Sequence, residues 1–271
     1  MSTSATTRPT VATSTASAGR PVLVAILLAA GFLALSTAGT LVLNALAPNL
    51  EAKPRDLIVE LILAIAVLGI IAARGWRERV GLNGVGAWRH LGLLIVPALI
   101  LLLPFAGGVK GADPSLIGLL VVGYTLNSLA EDGMFRGVLP EVLRTRGLVW
   151  VVVLSSLLFG LVHFGNILSR PDQSVAITAA QAVGAFSDGI GLVALRLVMR
   201  SIVPVMVIHA VSDLFFQLGG LPICPRTWST RSCSWSSASG SCGATGPSSR
   251  PTDGRSGTAD PAPAAAMLRR C

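Results

Sequence analysis

The sequence predicts an all-α fold, a polytopic bundle of about seven transmembrane helices with disordered termini, and three features carry that prediction. First, 52% of the 271 residues are hydrophobic and only 13% are charged. The mean hydropathy of +0.71 lies above what a soluble domain of this length needs to fill one core. Second, the apolar residues fall in runs near the ~20 residues that a helix rising 1.5 Å per residue needs to cross the hydrocarbon. Third, the formal net charge of +8 is concentrated in short segments between those runs. In a soluble protein such a charge would raise nucleic-acid binding; here it reads as membrane topology, so the expected surroundings are a lipid bilayer and no nucleic acid.

The elements follow in order. Residues 1–20 are Ser, Thr and Ala-rich with Arg8 and Arg20 as the charged groups, too poor in large apolar side chains to pack, and are expected to form a disordered cytoplasmic lead. The apolar run from about 21 to 47 ends in Ala45-Leu46-Ala47, which resembles a signal-peptidase site, but it is much longer than a signal-peptide core of roughly 7–15 residues and is expected to be an uncleaved first helix. Further spans are expected at about 57–73, 91–107, 115–130, 147–164, 174–198 and 202–218. Residues 21–112 then form accessory helices, 113–220 the core that carries the chemistry, and 221–271 a disordered tail. Arg74, Arg77, Arg79 and Arg89 follow the second span, Arg136, Arg144 and Arg146 follow the fourth, and Arg196 and Arg200 close the sixth. Basic loops mark the cytoplasmic side, which predicts a multi-pass protein with its N-terminus inside.

At Pro222 the composition turns to Ser, Gly, Pro, Ala and Arg, and no apolar period of strand or helix survives. With seven spans the tail falls outside, yet it carries six arginines against two aspartates, the opposite of the expected bias. An eighth helix replaced through a shifted reading frame and an ordinary basic tail both account for this. Cys224, Cys233, Cys242 and Cys271 all lie in the tail without a C-x-x-C pair, and so predict neither a zinc site nor a disulfide-built fold.

Three ionisable groups stand directly against an apolar run in "SLAEDGMFRG": Glu131, Asp132 and Arg136. Polar groups in lipid are costly when unpaired, so they turn to the bundle interior and find partners there. Asp132 and Arg136 are four apart and can pair across one helical turn, which leaves Glu131, turned by roughly 100° from Asp132, free. His90 lies in the polar "AWRH" connection and is expected to be solvated or interfacial. Phe159 and His163 share one helix face, as do His209 and Asp213, where Asp213 can orient the imidazole. A free carboxylate and two imidazoles from three helices can converge on one cavity. Simple interhelical tethering by Glu131, His163, His209 and Asp213 is the structural alternative.

"EDGMFRG" resembles an E-E-x-x-x-R signature, "FGLVH" an F-x-x-x-H motif and "HAVSD" an H-x-x-x-(N/D) motif, in the order and spacing of the CPBP family of intramembrane proteases, also called the CAAX-protease type 2 family. The resemblance covers about residues 115–218, with Asp132 where the family has a second Glu. It implies a peptidase of bacterial-type plasma membranes acting on membrane-anchored protein or peptide substrates, prenylated CAAX termini among them. Glu131 with His163 would activate a water, His209 with Asp213 would support the oxyanion, and Asp132, Arg136 and Phe159 would support the site. The tail's Cys271 is itself no CAAX box, since no residues follow it.

The family carries a metalloprotease label, and Glu131, His163 and His209 are the residues that could ligate zinc. The H-E-x-x-H pattern is missing, and a metal-free glutamate mechanism is the expectation. Serine and aspartyl intramembrane proteases fit poorly, since no G-x-S-x-G or G-x-G-D occurs. The competing readings are a proton-coupled transporter, a non-proteolytic scaffold such as a bacteriocin-immunity-type protein, and an inactive copy that has lost its final helix.

Overall fold

Lipid offers backbone N–H and C=O groups no partners, so a chain this apolar satisfies them within each segment and folds as helices. The computed structural model describes residues 20–170 and 173–221, all within one compact unit. Helix α1 spans Arg20–Leu46 and α2 Ala52–Ala73, followed by a single turn, α3, at Arg77–Val80. A 3-10 segment Trp88–Leu94, α4 (Ile95–Ile100) and a second 3-10 segment Leu103–Gly107 make one broken crossing. Helix α5 (Pro114–Asp132) runs through a π-helical stretch, Gly133–Val138, into α6 (Leu139–Leu143). After the turn at Arg144–Arg146 come α7 (Leu148–Val162), α8 (Asn166–Ser169), α9 (Val175–Met199) and α10 (Val203–Leu218). Among the described residues there is no strand, only a single antiparallel bridge between Val109 and Gly219. The helical bundle expected from the sequence is therefore present. The expected lead and tail lie outside the described residues, save Arg20, which opens α1, and Leu221.

Burial separates one face of each helix from the other. On α2, Val59, Leu63, Val67 and Ile71 recur every four residues and are buried, while Leu61 and Ile65 stay 45% and 60% exposed. In water such exposed apolar surface would be a liability; in a bilayer it is the lipid face. The buried faces of α1 and α2 close on Met134, Phe135, Val138 and Leu139, so the π-helical stretch sits at the centre of the core. Helices α7 and α9 approach closely through small residues: a methyl added at Gly160 would meet the Ala182 carbonyl at 2.7 Å, and one at Gly189 would meet Ser156 Cβ at 2.9 Å. Close backbone approach replaces the hydrophobic drive that lipid does not supply.

Among the described residues five helical stretches are long and apolar enough to cross a membrane: Arg20–Leu46, Ala52–Ala73, Trp88–Gly107, Leu148–Ser169 and Val175–Met199. The remaining two expected spans form α5 and α10, which fall short for physical reasons. Helix α5 carries Asn127, Glu131 and Asp132, and α10 has 16 residues, about 24 Å of rise. These two helices hold Glu131, Asp132, His209 and Asp213.

Two arginines used as loop markers prove to be interior groups. Arg136 does not follow a helix end: the helix continues from Pro114 to Leu143, and Arg136 is 1% exposed in its middle. The loop proper begins at Arg144. Arg196, 9% exposed within α9, donates to the Arg79 carbonyl at 2.5 Å. An i,i+4 carboxylate in the first case and a free carbonyl in the second draw these cations inward, where a positive-charge count cannot place them.

Helix α10 is pinned at both ends. At its start, Arg200 takes a left-handed conformation (φ 57°) and the chain docks on the loop after α3. Ser201 Oγ donates to the Gly81 carbonyl at 2.9 Å and accepts from the Val203 N–H at 3.1 Å, while the Ala87 and Ile202 N–H groups bond the Met199 and Gly81 carbonyls. At its end the Lys110 and Gly220 N–H groups donate to the Leu218 and Gly108 carbonyls, each at 2.8 Å, and Phe105 packs edge-on against Phe215. This clamp is tight at Gly86, whose φ is +80° and where a Cβ would lie 2.8 Å from Ser201 Cβ and closer still to the Met199 carbonyl. Gly86→Ala is expected to lose about 1–2 kcal/mol from the left-handed backbone alone, more with the overlap, and to lower the thermal midpoint of the purified protein. Gly118→Ala, where a methyl meets nothing within 4 Å, is expected to leave the midpoint unchanged or raise it. A wild-type midpoint for Gly86→Ala would remove the clamp.

Candidate active site

The site is built where α5 passes into its π-helical turn. At Gly133 a side chain would meet Val67 Cγ1 at 2.8 Å, so the missing Cβ lets α2 press against this turn. A π-turn of this kind carries one extra residue and often marks a functional position. Asp132 and Arg136, four apart as the sequence predicts, form an ion pair at 3.2 Å with side chains 0% and 1% exposed. The guanidinium lies over the Phe159 ring, 3.8 Å from its centroid, and Phe159 in turn packs on Phe135 at 5.2 Å and Phe135 on Phe32 at 5.3 Å. A cation over an aromatic face keeps part of the electrostatic stabilisation it loses on leaving water. Burying the pair is still costly, so its use is to fix Asp132 rather than to add stability.

Asp132 has a second partner on another helix. His209 of α10 meets Asp132 Oδ2 through Nδ1 at 3.1 Å. On the other side of the ring, Nε2 faces Glu131 Oε2 and Asp213 Oδ2, each at 3.7 Å. The sequence reading had Asp213 orient His209; the hydrogen bond belongs to Asp132 instead. Spacing within α10 brings Asp213 near Nε2, but only the packing of α5 on α10 could supply a partner for Nδ1. Glu131 is left out of the arginine pair, as expected from its angle on the helix. Its side chain is 19% exposed and that of Asp213 33%, against 0% for Asp132. The cluster is thus sealed behind Asp132 and open at Glu131 and Asp213.

His163 closes α7 and makes its own contact. Its Nδ1 lies 2.8 Å from the Phe159 carbonyl, which can only accept, so Nδ1 donates. The Phe159 ring stands edge-to-face against both imidazoles, with centroids 4.9 Å from His163 and 6.5 Å from His209. Glu131, His209 and Asp213 are in direct array, and His163 joins them through Phe159. His90, set aside in the sequence reading, meets its neighbour Arg89 at 3.0 Å, with no part in the cluster.

Sequence reasoning passed over Asn127. Its Nδ2 donates to Asp213 Oδ2 at 3.5 Å, a second tie between α5 and α10. The signal was present: Asn127 lies one helical turn before Glu131, a polar residue on the same face of an apolar helix. Among the described residues no set of three or more His, Cys, Asp or Glu side chains has the arrangement of a metal site.

Residues 113–215 match the family model described as type II CAAX prenyl endopeptidase, Rce1-like. That stretch is close to the one over which the three motifs carry their resemblance, and it contains all seven residues singled out above. No curated protein and no solved structure matches the chain. With five helices long and apolar enough to cross a membrane, the chain is a multi-pass membrane protein. Over residues 113–215 it is similar to the Rce1-like, type II CAAX prenyl endopeptidase family.

Proposed function

We propose that the chain is an intramembrane endopeptidase that cleaves membrane-associated, CAAX-type protein or peptide substrates with a water activated at Glu131. One observation carries the reading: Glu131 Oε2 and His209 Nε2 face each other at 3.7 Å on the open side of the cluster. Two groups so spaced can both hydrogen-bond one water at ordinary distances of about 2.8–3.0 Å. Glu131 takes the proton as that water attacks the peptide carbonyl, and returns it to the leaving amine. His209, with Asp132 holding Nδ1, presents Nε2 to the developing oxyanion, and Asp213 and His163 complete the polar surface around it. A donor held in place in a water-poor site stabilises that charge more than it would in bulk water. Arg136 reaches the chemistry only through Asp132, and is a positioning residue.

The arginines support a cytoplasmic N-terminus even with Arg136 and Arg196 withdrawn from the count. Arg79 and Arg144 both pair with Glu141, at 3.4 and 3.0 Å, so the loops after α2 and α6 share one end of the bundle. The mechanism proposed uses no metal.

Glu131→Gln keeps size and polarity and removes the base. It is expected to abolish, by at least about a hundredfold, the C-terminal fragments that mass spectrometry of membrane peptides detects with the wild type. Identical profiles at equal abundance would sink the protease reading and favour a scaffold. Arg136→Leu separates structure from chemistry: it leaves Asp132 without its cation and is expected to lose about 3–5 kcal/mol of stability, read as a lower denaturation midpoint, whereas Glu131→Gln keeps the wild-type midpoint. Elemental analysis of the purified chain is expected to find no stoichiometric zinc; zinc at one per chain that disappears in His163→Ala would overturn the metal-free mechanism.

A further inference from the structure

A second set of polar groups lies between α2 and α5, away from the cluster just described. On α2, Lys53, Asp56 and Glu60 are spaced three and four apart, and so share one face. On α5, Tyr124, Asn127 and Glu131 repeat the same spacing. The two helices run side by side in the same direction, with Glu60 next to Gly123 and Val67 next to Gly133. Their polar faces therefore form a single seam. Its outer part is a cleft of about 30 Å³ lined by Lys53, Asp56 and Glu60 on one side and Gly123 and Tyr124 on the other. A water needs roughly 10–15 Å³ measured in this way, and several polar partners, so the cleft suits about two waters and not a lipid chain.

The seam is closed to lipid by charge and continues inward. Arg170 pairs with Asp56 at 3.7 Å at its mouth, and the Lys53 ammonium lies 5.9 Å from the Tyr124 ring centroid. A Cβ at residue 123 would stand 3.3 Å from Glu60 Oε2, so the glycine leaves space for the carboxylate. Tyr124 is within electrostatic reach of both Glu60 and Asp213, Glu60 within reach of Glu131, and Asn127 bonds Asp213. From Tyr124 to Glu131 is seven residues, about 10 Å along the helix. Nothing in the cluster around His209 accounts for an ionisable residue such as Glu60 in the middle of α2, and a bundle does not bury one there without a use.

We propose that the α2–α5 seam is the route by which water enters the bundle, from the end that carries Lys53 and Asp56, past Glu60 and Tyr124 to Asn127, Asp213 and Glu131. Its part in catalysis rests on the protease reading: each peptide bond hydrolysed consumes one water, and the file Tyr124, Asn127, Glu131 ends at the carboxylate that would use it. Glu60 is the residue that keeps the seam wet at its narrow part.

Hydroxyl-radical footprinting of the full chain in nanodiscs, read by mass spectrometry, tests this without any substrate. Radicals form where water is, and Tyr124 is the chain's one tyrosine, so its oxidation is assigned without ambiguity. Tyr124 and His209 are expected to oxidise at least tenfold faster than Phe135 in the dry core and Phe216 on the lipid face. Glu60→Leu is expected to slow both at least fivefold, and Glu60→Gln to leave both near wild type. Tyr124 as slow as Phe135 in the wild type, or a His209 rate untouched by Glu60→Leu, would overturn the route. If peptide cleavage is then measured, Glu60→Leu is expected to lower turnover more than Glu60→Gln does. Labelling as predicted in a chain that cleaves nothing would keep the seam and remove the protease reading.

Discussion

Asp132 is the residue on which the interior depends. A carboxylate with no exposed surface in a lipid-embedded bundle must be compensated, and this one is compensated twice, by Arg136 from its own helix at 3.2 Å and by His209 from α10 at 3.1 Å. The first contact fixes the π-helical turn; the second sets the rotation of α10 about its axis. Because the imidazole ring is rigid, fixing Nδ1 also fixes where Nε2 points, and it points at Glu131 and Asp213. One buried charge thus determines the geometry of three others. The same logic explains why Arg136 lies on the Phe159 ring: the cation has to be satisfied where water is scarce.

Helix α10 needs this arrangement because it is short. Sixteen residues do not match the hydrocarbon thickness by length alone, and its outer residues Val207 and Phe216 remain exposed. Its position comes from its two ends, backbone hydrogen bonds with the loop Gly81–Ala87 at one and with Pro104–Gly108 at the other. The broken crossing between Trp88 and Gly107 is part of the same device. Its prolines, Pro97 and Pro104, have no N–H to donate and so interrupt the helix, and the Pro104 carbonyl accepts from the Leu221 N–H at 3.1 Å.

Polar residues in the apolar helices are arranged by face. On α5 the stripe Tyr124, Asn127, Glu131 meets α2 and α10, while Val121 and Val122 turn outward. Helix α5, which carries this stripe, is not among the stretches long and apolar enough to cross a membrane, and it holds Glu131 and Asp132. A bundle of uniformly apolar spans would be easier to recognise and would have nothing to do.

The sequence by itself determined the helical class, the Asp132–Arg136 pair and the exclusion of Glu131 from that pair, because these follow from hydropathy and from the angular period of one helix. It also determined the order of the three motifs, which carry the resemblance to the family. What it could not determine is any contact between helices. Seven spans were expected where five stretches meet the length and hydropathy of a crossing, since polar faces and short helices are admitted by packing rather than by composition. Arg196 reads as a loop charge because its partner, the Arg79 carbonyl, is distant in sequence, and Arg136 because the continuation of its helix to Leu143 is not marked by hydropathy. Asp213 was assigned to orient His209 by its i,i+4 spacing, and only the docking of α5 against α10 gave that hydrogen bond to Asp132. Periodicity along one helix is local and legible; the choice of partner across a bundle is made by close packing, and exists only in three dimensions.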